Sequence, residues 1–467
     1  MGGHDLAIIG AGPAGMAGAI AARAAGLSVV LLDEQPTPGG QIWRNVEALA
    51  GGPLADILGD AYKQGLATVA AFRDCGADYL PGAQLWHCEE HEGGFRLFHT
   101  RDGAAQSLTA RRVLLATGAQ ERPVPFAGWT LPGVMTVGAA QVLLKSSAQI
   151  PEGEVWVAGS GPLVLLYLVQ LLEAGGRVAG VIDTAPKLPL GRTAGLVLRA
   201  LPQIGKVMKG MGWRRYLKRK RVRIIQGHVI RAEGEGRLQS LRYRDAAGQE
   251  HEAPADMLLL HQGVLPSIHV PLALNCAMDW HEAGQYFLPR LDEWGARSVS
   301  GLFIAGDGAG IAGAEAALAR GTIAGIAIAR DAGRLDPATA TSRATTARTA
   351  LAGEMALRPL VDTLYPPHPA VLSPSDDTIV CRCEEITAGQ IRALARLGDP
   401  DPNQMKAFTR CGMGPCQGRQ CGYTVSNILA EAQGRSVAEV GFYRIRPPLK
   451  PVTLAELANL DAGEAGP

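Results

Sequence analysis

Aromatic residues are scarce in this chain, 5% of 467 positions, and neither sign of charge prevails. Lys plus Arg is 45 and Asp plus Glu is 44, a formal net charge of +1. That balance excludes a chain-wide nucleic-acid binder, which carries a strong basic excess. No apolar run suits a transmembrane segment. The longest uncharged stretch, Val155 to Leu172, holds Gly159-Ser160-Gly161-Pro162 and reads as strand, turn and helix. The N-terminus lacks a basic region and Asp5 breaks its apolar stretch, so no signal peptide is expected and the cytoplasm is the default compartment. Eight cysteines are too few for a disulfide scaffold in so long a chain. No Ser/His/Asp set and no His-Glu-x-x-His helix is present.

Glycine is plentiful: 59 residues, about one in eight. In a chain that is 47% hydrophobic, this points to tight βα turns and close backbone approach to a ligand. The chain opens with an apolar strand, Leu6 to Ile9, then Gly10-Ala11-Gly12-Pro13-Ala14-Gly15 and an alanine-rich helix. A second strand, Ser28 to Leu32, ends at Asp33. Gly10 allows the turn, Gly12 lets the backbone reach a pyrophosphate, and Gly15 lets helix and strand pack closely. The free N–H groups of the helix start favour phosphate. Asp33, 23 residues after Gly10 and followed by Glu34, can bond ribose hydroxyls and disfavours a 2′-phosphate. FAD or NAD is the expected ligand.

A similar unit recurs from Val155 to Ile182, so the fold class is α/β with two Rossmann-like dinucleotide-binding domains. Phe95 to Phe98 and Val113 to Ala116 read as return strands of the first module. Met257 to Leu260 and Leu302 to Ala305 close the second and first modules respectively. The expected division is 1–125 with 285–335, then 126–284, a helix-containing linker 336–377, a compact module 378–435 and a tail 436–467. The tail segment Arg446-Pro447-Pro448-Leu449-Lys450-Pro451 reads as extended chain on another surface or subunit, or as a free end.

Ala116-Thr117-Gly118 ends a strand, Gly306-Asp307-Gly308 follows another, and Gly39-Gly40-Gln41 follows Asp33. In these residues the chain resembles the two-dinucleotide-domain flavoproteins of the pyridine nucleotide–disulfide oxidoreductase fold. The resemblance implies FAD. It places Asp307 on the ribityl or phosphate groups, Gly306 at a close approach, and Gly40 and Gln41 in the loop over the flavin. The redox cysteine pair of the disulfide reductases is absent, since Cys75, Cys88 and Cys276 are isolated. Flavin chemistry needs no protein nucleophile.

The second fingerprint, Gly159-Ser160-Gly161-Pro162-Leu163-Val164, puts a β-branched residue where its third glycine belongs. Asp183 keeps a ribose contact open, so NAD, ATP or no ligand all remain open there. The basic run Arg214 to Arg221 reads as a solvated helix end leading into the strand Val222 to Ile225. Steering of an acidic partner or a nucleotide phosphate is the alternative.

Five cysteines crowd into positions 381–421, as Cys381-Arg382-Cys383 and Cys411-Gly412-Met413-Gly414-Pro415-Cys416-Gln417-Gly418-Arg419-Gln420-Cys421. Thr387 and Gln390 form a capping box, and Val425, Ile428, Leu429 and Ala432 trace an apolar helix face. Four thiolates can hold a 2Fe–2S cluster or zinc. The segment resembles the bacterioferritin-associated ferredoxin-like domain, and the tails of anaerobic glycerol-3-phosphate dehydrogenase and heterotetrameric sarcosine oxidase. That resemblance implies a 2Fe–2S cluster on Cys381, Cys383, Cys416 and Cys421. Cys411 is a fifth thiol outside the pattern, and its spacing to Cys416 leaves the choice open.

The whole chain resembles the large flavoprotein subunits of bacterial opine oxidases, D-hydroxyproline dehydrogenase and hydrogen cyanide synthase. Asp33 to Trp43, Gly159 to Leu163, Ala305 to Gly310 and the cysteine tail carry the resemblance. It implies an electron-transfer subunit of a hetero-oligomer with no catalytic residue of its own. A D-amino-acid-oxidase-like flavoprotein subunit would oxidise the amine, with an FMN between subunits and a small ferredoxin-like third subunit. The complex would be peripheral to the inner membrane and would pass electrons toward quinones. The competing readings are a self-contained NADH-dependent flavin oxidoreductase and a nucleotide-binding structural subunit.

Overall fold

The computed structural model describes residues 3–188, 190–296, 299–458 and 460. The chain begins with β1 (Leu6–Ile9), β2 (Val29–Asp33) and β3 (Asp78–Pro81), then turns through β4 (Gln84–His91), β5 (Gly94–Arg101) and β6 (Ala104–Ala110) before returning as β7 (Val113–Leu115). Phe95 to Phe98 therefore do not extend the parallel sheet. They lie in an antiparallel meander, β4-β5-β6. Strand alternation sets which side chains share a face, but not which sheet the strand joins.

The crossover carries β8 (Ala119–Glu121) and β9 (Val134–Thr136). A second module follows, with β10 (Val155–Gly159), β11 (Gly180–Asp183), β12 (Ile224–Glu233), β13 (Ser240–Asp245), β14 (Glu250–Pro254) and β15 (Met257–His261). β16 (Val264–Pro266) pairs with β8, β17 (Met278–His281) pairs with β18 (Tyr286–Pro289), and β19 (Leu302–Ile304) rejoins the first module. The first sheet has the order β19-β7-β1-β2-β3 and is parallel throughout. The second has the order β14-β13-β12-β11-β10-β15-β9, parallel from β12 to β9 and antiparallel at both β12–β13 and β13–β14. Both glycine fingerprints thus sit at the carboxyl ends of central strands, where α/β sheets bind ligands.

Helix packing follows from the small residues. The helix Pro13–Arg23 lies against the helix Ala314–Asp331 with Gly18 facing Gly321 and Gly325. A Cβ on Gly321 would stand 2.1 Å from the Ala14 carbonyl oxygen, so only glycine permits this approach. The segment after the second module is dominated by one helix, Pro337–Leu364, capped by the Asp336 carboxylate.

The C-terminal module is not a tethered bead. β20 (Ile379–Cys381) and β21 (Ile386–Thr387) open it, and the helices Ala388–Ala395, Pro402–Thr409 and Gly422–Gln433 complete it. Its fully buried Ile391, Met405, Val425, Ile428 and Leu429 join one apolar cluster with Ile9, Leu32, Leu85, Phe95 and Leu115 of the first domain. The apolar face of the last helix stops short of Ala432, which is exposed. The tail folds back across the first domain, where the Leu449 N–H donates to the Trp86 carbonyl at 2.7 Å.

Candidate functional site

The turn after β1 is built as the fingerprint requires. A Cβ on Gly15 would sit 1.8 Å from the Gly10 carbonyl oxygen, so the third glycine sets the distance between helix and strand. The helix beginning at Pro13 has no side-chain cap, and its first N–H groups are left for an anion. The Asp33 carboxylate is buried. It accepts from the Gln35 N–H at 2.7 Å and from the Ala11 N–H, which fixes it against the turn. Burial pushes its pKa up, against the pull of those two N–H donors. Gly40 closes the turn from above, at positive φ, where a Cβ would come within 2.9 Å of the Gly12 Cα. The Gly39 N–H ties this loop to the Ala11 carbonyl at 2.8 Å.

A cavity of about 710 Å³ runs from this turn across the first domain. Of the sequence-predicted residues, Gly10, Gly12, Pro13, Ala14, Asp33, Glu34, Gly40, Gln41, Ala116, Thr117, Gly118, Gly306 and Asp307 all line it. Gly15 does not line it and acts through packing. Asp307 Oδ1 accepts from the Ala312 and Gly313 N–H groups at 2.9 and 3.1 Å, and the buried Arg320 guanidinium holds the Gly306 carbonyl at 3.1 Å. Size, phosphate-ready turn and carboxylates at the ribose and ribityl positions fit FAD.

The far wall of the same cavity is the thiol module. Pro415, Cys416 and Arg419 line it, as do Leu449, Lys450 and Pro451 of the tail. Two hydrogen bonds join the halves. Gln120 Nε2 donates to the Arg419 carbonyl at 2.9 Å, and His269 Nε2 donates to the Gln417 carbonyl at 3.0 Å. Burial holds the His269 imidazole neutral, with its pKa lowered to about 3. Lys450 pairs with Glu34, and Arg419 Nη1 holds the Leu449 carbonyl at 2.9 Å. Sequence reading misses His269, Gln120, Arg419 and the tail residues. Gln120 lies two residues beyond Ala116-Thr117-Gly118, Arg419 lies inside the cysteine run and the tail residues lie in the proline-rich segment, whereas His269 has no motif nearby.

The structure sorts the five thiols differently from the sequence assignment. Cys381, Cys411 and Cys421 lie together, their sulfurs within 4.8 Å of one another. Cys383 and Cys416 form a second hydrogen-bonded pair at the edge of the module. Cys411, outside the family pattern but left open by its spacing to Cys416, is fully buried beside Cys381 and Cys421, because the loop after the helix Pro402–Thr409 turns inward there. Hydrogen bonds from Cys411 and Cys421, helped by the Gly412 and Glu384 N–H groups, bring the Cys381 pKa down to about 2. The Tyr443 hydroxyl, from the tail, stands 3.4 Å from Cys411 Sγ and 3.8 Å from Cys421 Sγ. Five soft sulfur donors with inward backbone N–H groups fit an iron–sulfur cluster.

The second fingerprint is altered. Val164 is buried in the first turn of the helix Pro162–Glu173 and lines a separate cavity of about 370 Å³. Asp183 also lines it but is engaged by Arg214 at 3.7 Å.

Among the described residues no helix is long and apolar enough to cross a membrane. The pyridine nucleotide–disulphide oxidoreductase family model matches residues 4–333, and the sarcosine oxidase A3 domain matches residues 376–461. The chain is 42% identical to an opine oxidase subunit of Rhizobium meliloti (strain 1021), over 98% of each chain. It is 32% identical to the HcnB subunit of hydrogen cyanide synthase from Pseudomonas aeruginosa, over 97% of this chain and 98% of that one. The L-proline dehydrogenase of P. horikoshii shares the fold, with a TM-score of 0.71 at 21% identity over 97% of this chain and 79% of that one. The chain belongs to the pyridine nucleotide–disulphide oxidoreductase family and, within it, to the oxidoreductase flavoprotein subunits represented by those of the opine oxidases.

Proposed function

We propose that this chain is the electron-transferring subunit of a heteromeric, dye-linked dehydrogenase acting on CH–NH groups of an amino acid or opine. FAD occupies the first-domain cavity and a 2Fe–2S cluster sits among the C-terminal thiols. When bound, the flavin exchanges electrons in pairs or singly and the cluster relays them singly. One observation carries the reading: Cys416 and the dinucleotide turn line a single cavity.

The chain's own residues do the positioning. Gly12 and the helix start receive the pyrophosphate, Asp33 the ribose, and Asp307 the ribityl or phosphate end. Gln120 and His269 hold the thiol loop against the cavity wall, so the separation of the two redox groups is set by packing. No catalytic acid, base or nucleophile is assigned. In this reading the amine is oxidised on a D-amino-acid-oxidase-like partner, with an FMN at the interface, and a small ferredoxin-like subunit completes the complex. Val164 and the Asp183–Arg214 pair weigh against direct reduction by NADH.

The test is anaerobic purification of the chain followed by visible and electron paramagnetic resonance spectra. Wild type should show flavin absorbance and a cluster signal. Cys416→Ser should retain the flavin while losing or altering the cluster signal. Colourless wild-type protein, or steady flavin reduction by NADH alone, defeats the proposal.

A further inference from the structure

Charge balance over the whole chain hides a strong internal polarity. From 184 to 232 the sequence has 13 Lys and Arg residues and no Asp or Glu. The other 418 residues then hold 32 basic against 44 acidic side chains, a net −12 against +13. This segment includes the helices Leu190–Arg199 and Ile204–Arg219, joined by one 3₁₀ turn.

The same hairpin exposes unusual apolar surface. Val197, Leu198, Leu201, Ile204, Met208 and Met211 are 39%, 68%, 48%, 40%, 60% and 44% exposed. Ile204, Met208, Met211 and Arg215 follow an i, i+4, i+7, i+11 spacing, so they share one face of the second helix. That face is apolar in its first two turns and cationic afterwards, where Lys218 and Arg219 flank Arg215. Ion pairs among the described residues occupy Lys206, Arg214 and Arg231 within this stretch, but not Lys209, Arg215 or the exposed run Lys218 to Arg221.

We propose that this helical hairpin seats on an anionic lipid surface, its aliphatic side chains entering the headgroup boundary and its lysines and arginines facing the phosphates. Exposed aliphatic side chains beside a cationic helix end on one helical hairpin suit an interface whose charge is uniform and mobile. The core of a protein–protein interface is instead depleted in charged residues and in lysine above all, whereas here Lys206, Lys209, Lys218 and Lys220 lie on the same helix as the exposed apolar side chains or at its end. Long cationic side chains also cover apolar neighbours while keeping their charge at the surface.

The placement has a consequence for electron flow. Lys206 Nζ lies 2.8 Å from Glu315 Oε2, and Glu315 follows Ala314, which lines the dinucleotide cavity. Seating the hairpin on a bilayer brings that end of the cavity close to the lipid, where a lipid-soluble acceptor is concentrated. The surface itself stands on charge and exposure alone, independent of which cofactors are bound.

The test is co-sedimentation of the full chain with vesicles of phosphatidylcholine alone or mixed equally with phosphatidylglycerol. Binding is expected only to the anionic vesicles, and it should fall steeply as salt rises toward roughly 0.5 M, where the Debye length shrinks to a few ångström. Lys218→Glu with Arg219→Glu and Arg221→Glu should weaken it at least tenfold. Leu198→Gln with Met208→Gln should weaken it while leaving the circular dichroism spectrum unchanged. Equal binding to neutral vesicles, or none to anionic ones, overturns the proposal. So does a result in which the Leu198/Met208 variant loses a co-purifying subunit yet keeps its vesicle binding. Should a variant fail to fold, the lipid and salt dependence of the wild type still decides.

Discussion

His269 offers the sharpest test of how the thiol module is held against the flavin cavity. The ring is 7% exposed, lines the cavity and donates from Nε2 to the Gln417 carbonyl, one residue beyond Cys416. Burial, helped by the positive Arg419 nearby, lowers its pKa from 6.5 to about 3. Between those values the unfolded chain binds a proton that the folded chain refuses, so stability is complete above pH 6.5 and falls as pH drops toward 3. The full effect is about 5 kcal/mol, and ~2.7 kcal/mol of it is lost before pH 4.5. His269→Gln keeps a donor but cannot titrate. The variant should lose about 1 kcal/mol at pH 7.5 through poorer hydrogen-bond geometry, yet lose distinctly less than wild type between pH 7.5 and 4.5. Urea midpoints of both proteins across that interval make the comparison, and the difference of differences cancels the other titrating groups. Parallel acid limbs for wild type and variant would show that His269 is not a buried neutral imidazole, and the rigid contact at Gln417 would fall with it.

Gly15→Val places side-chain atoms where even a Cβ would stand 1.8 Å from the Gly10 carbonyl oxygen. Purified variant should carry less than a tenth of the wild-type flavin, measured by nucleotide release, and full retention would refute the role of that turn. Lys145 is buried and donates to the Gln41 and Ile42 carbonyls at 3.1 and 3.0 Å and to Gln141 Oε1 at 3.1 Å, pinning the flavin-covering loop to the second module. Lys145→Met leaves those acceptors unsatisfied and should destabilise the chain by about 2–4 kcal/mol, read as a lower melting temperature that added FAD only partly restores.

The parts of the site legible in sequence are those where backbone geometry dictates residue type. Gly10, Gly15 and Gly40 stand where a side chain would strike main-chain atoms, so their identity reveals the turn. The alternation in Phe95 to Phe98 announces a strand but not its partner, and the segment joined a meander instead of the parallel sheet. His269 carries no local signal. Its partner, Gln417, is 148 positions away, and only the packing of β16 and the following turn brings the two together. The thiols are an intermediate case: crowding in sequence singles out the five cysteines as a group. Which sulfurs meet depends on the left-handed residue Arg410, at φ 62°, which ends a helix and turns Cys411 inward.

The Ala-, Thr-, Arg- and Pro-containing stretch before the thiol module reads from composition as a helix-containing linker, and most of it is the helix Pro337–Leu364. The module beyond that helix is not isolated: its apolar cluster runs on into the first domain. Val425, Ile428 and Leu429 complete a core begun by β1, β2, β4 and β7. The tail then returns past both the thiols and the dinucleotide cavity, with Tyr443 at the former and Leu449, Lys450 and Pro451 at the latter. Detaching the module would expose its share of that surface and break the hydrogen bonds from Gln120 to the Arg419 carbonyl and from His269 to the Gln417 carbonyl. A carrier that must visit distant partners gains from a loose hinge. Under the proposed function, two centres exchanging electrons at one fixed separation would gain from such a continuous apolar cluster.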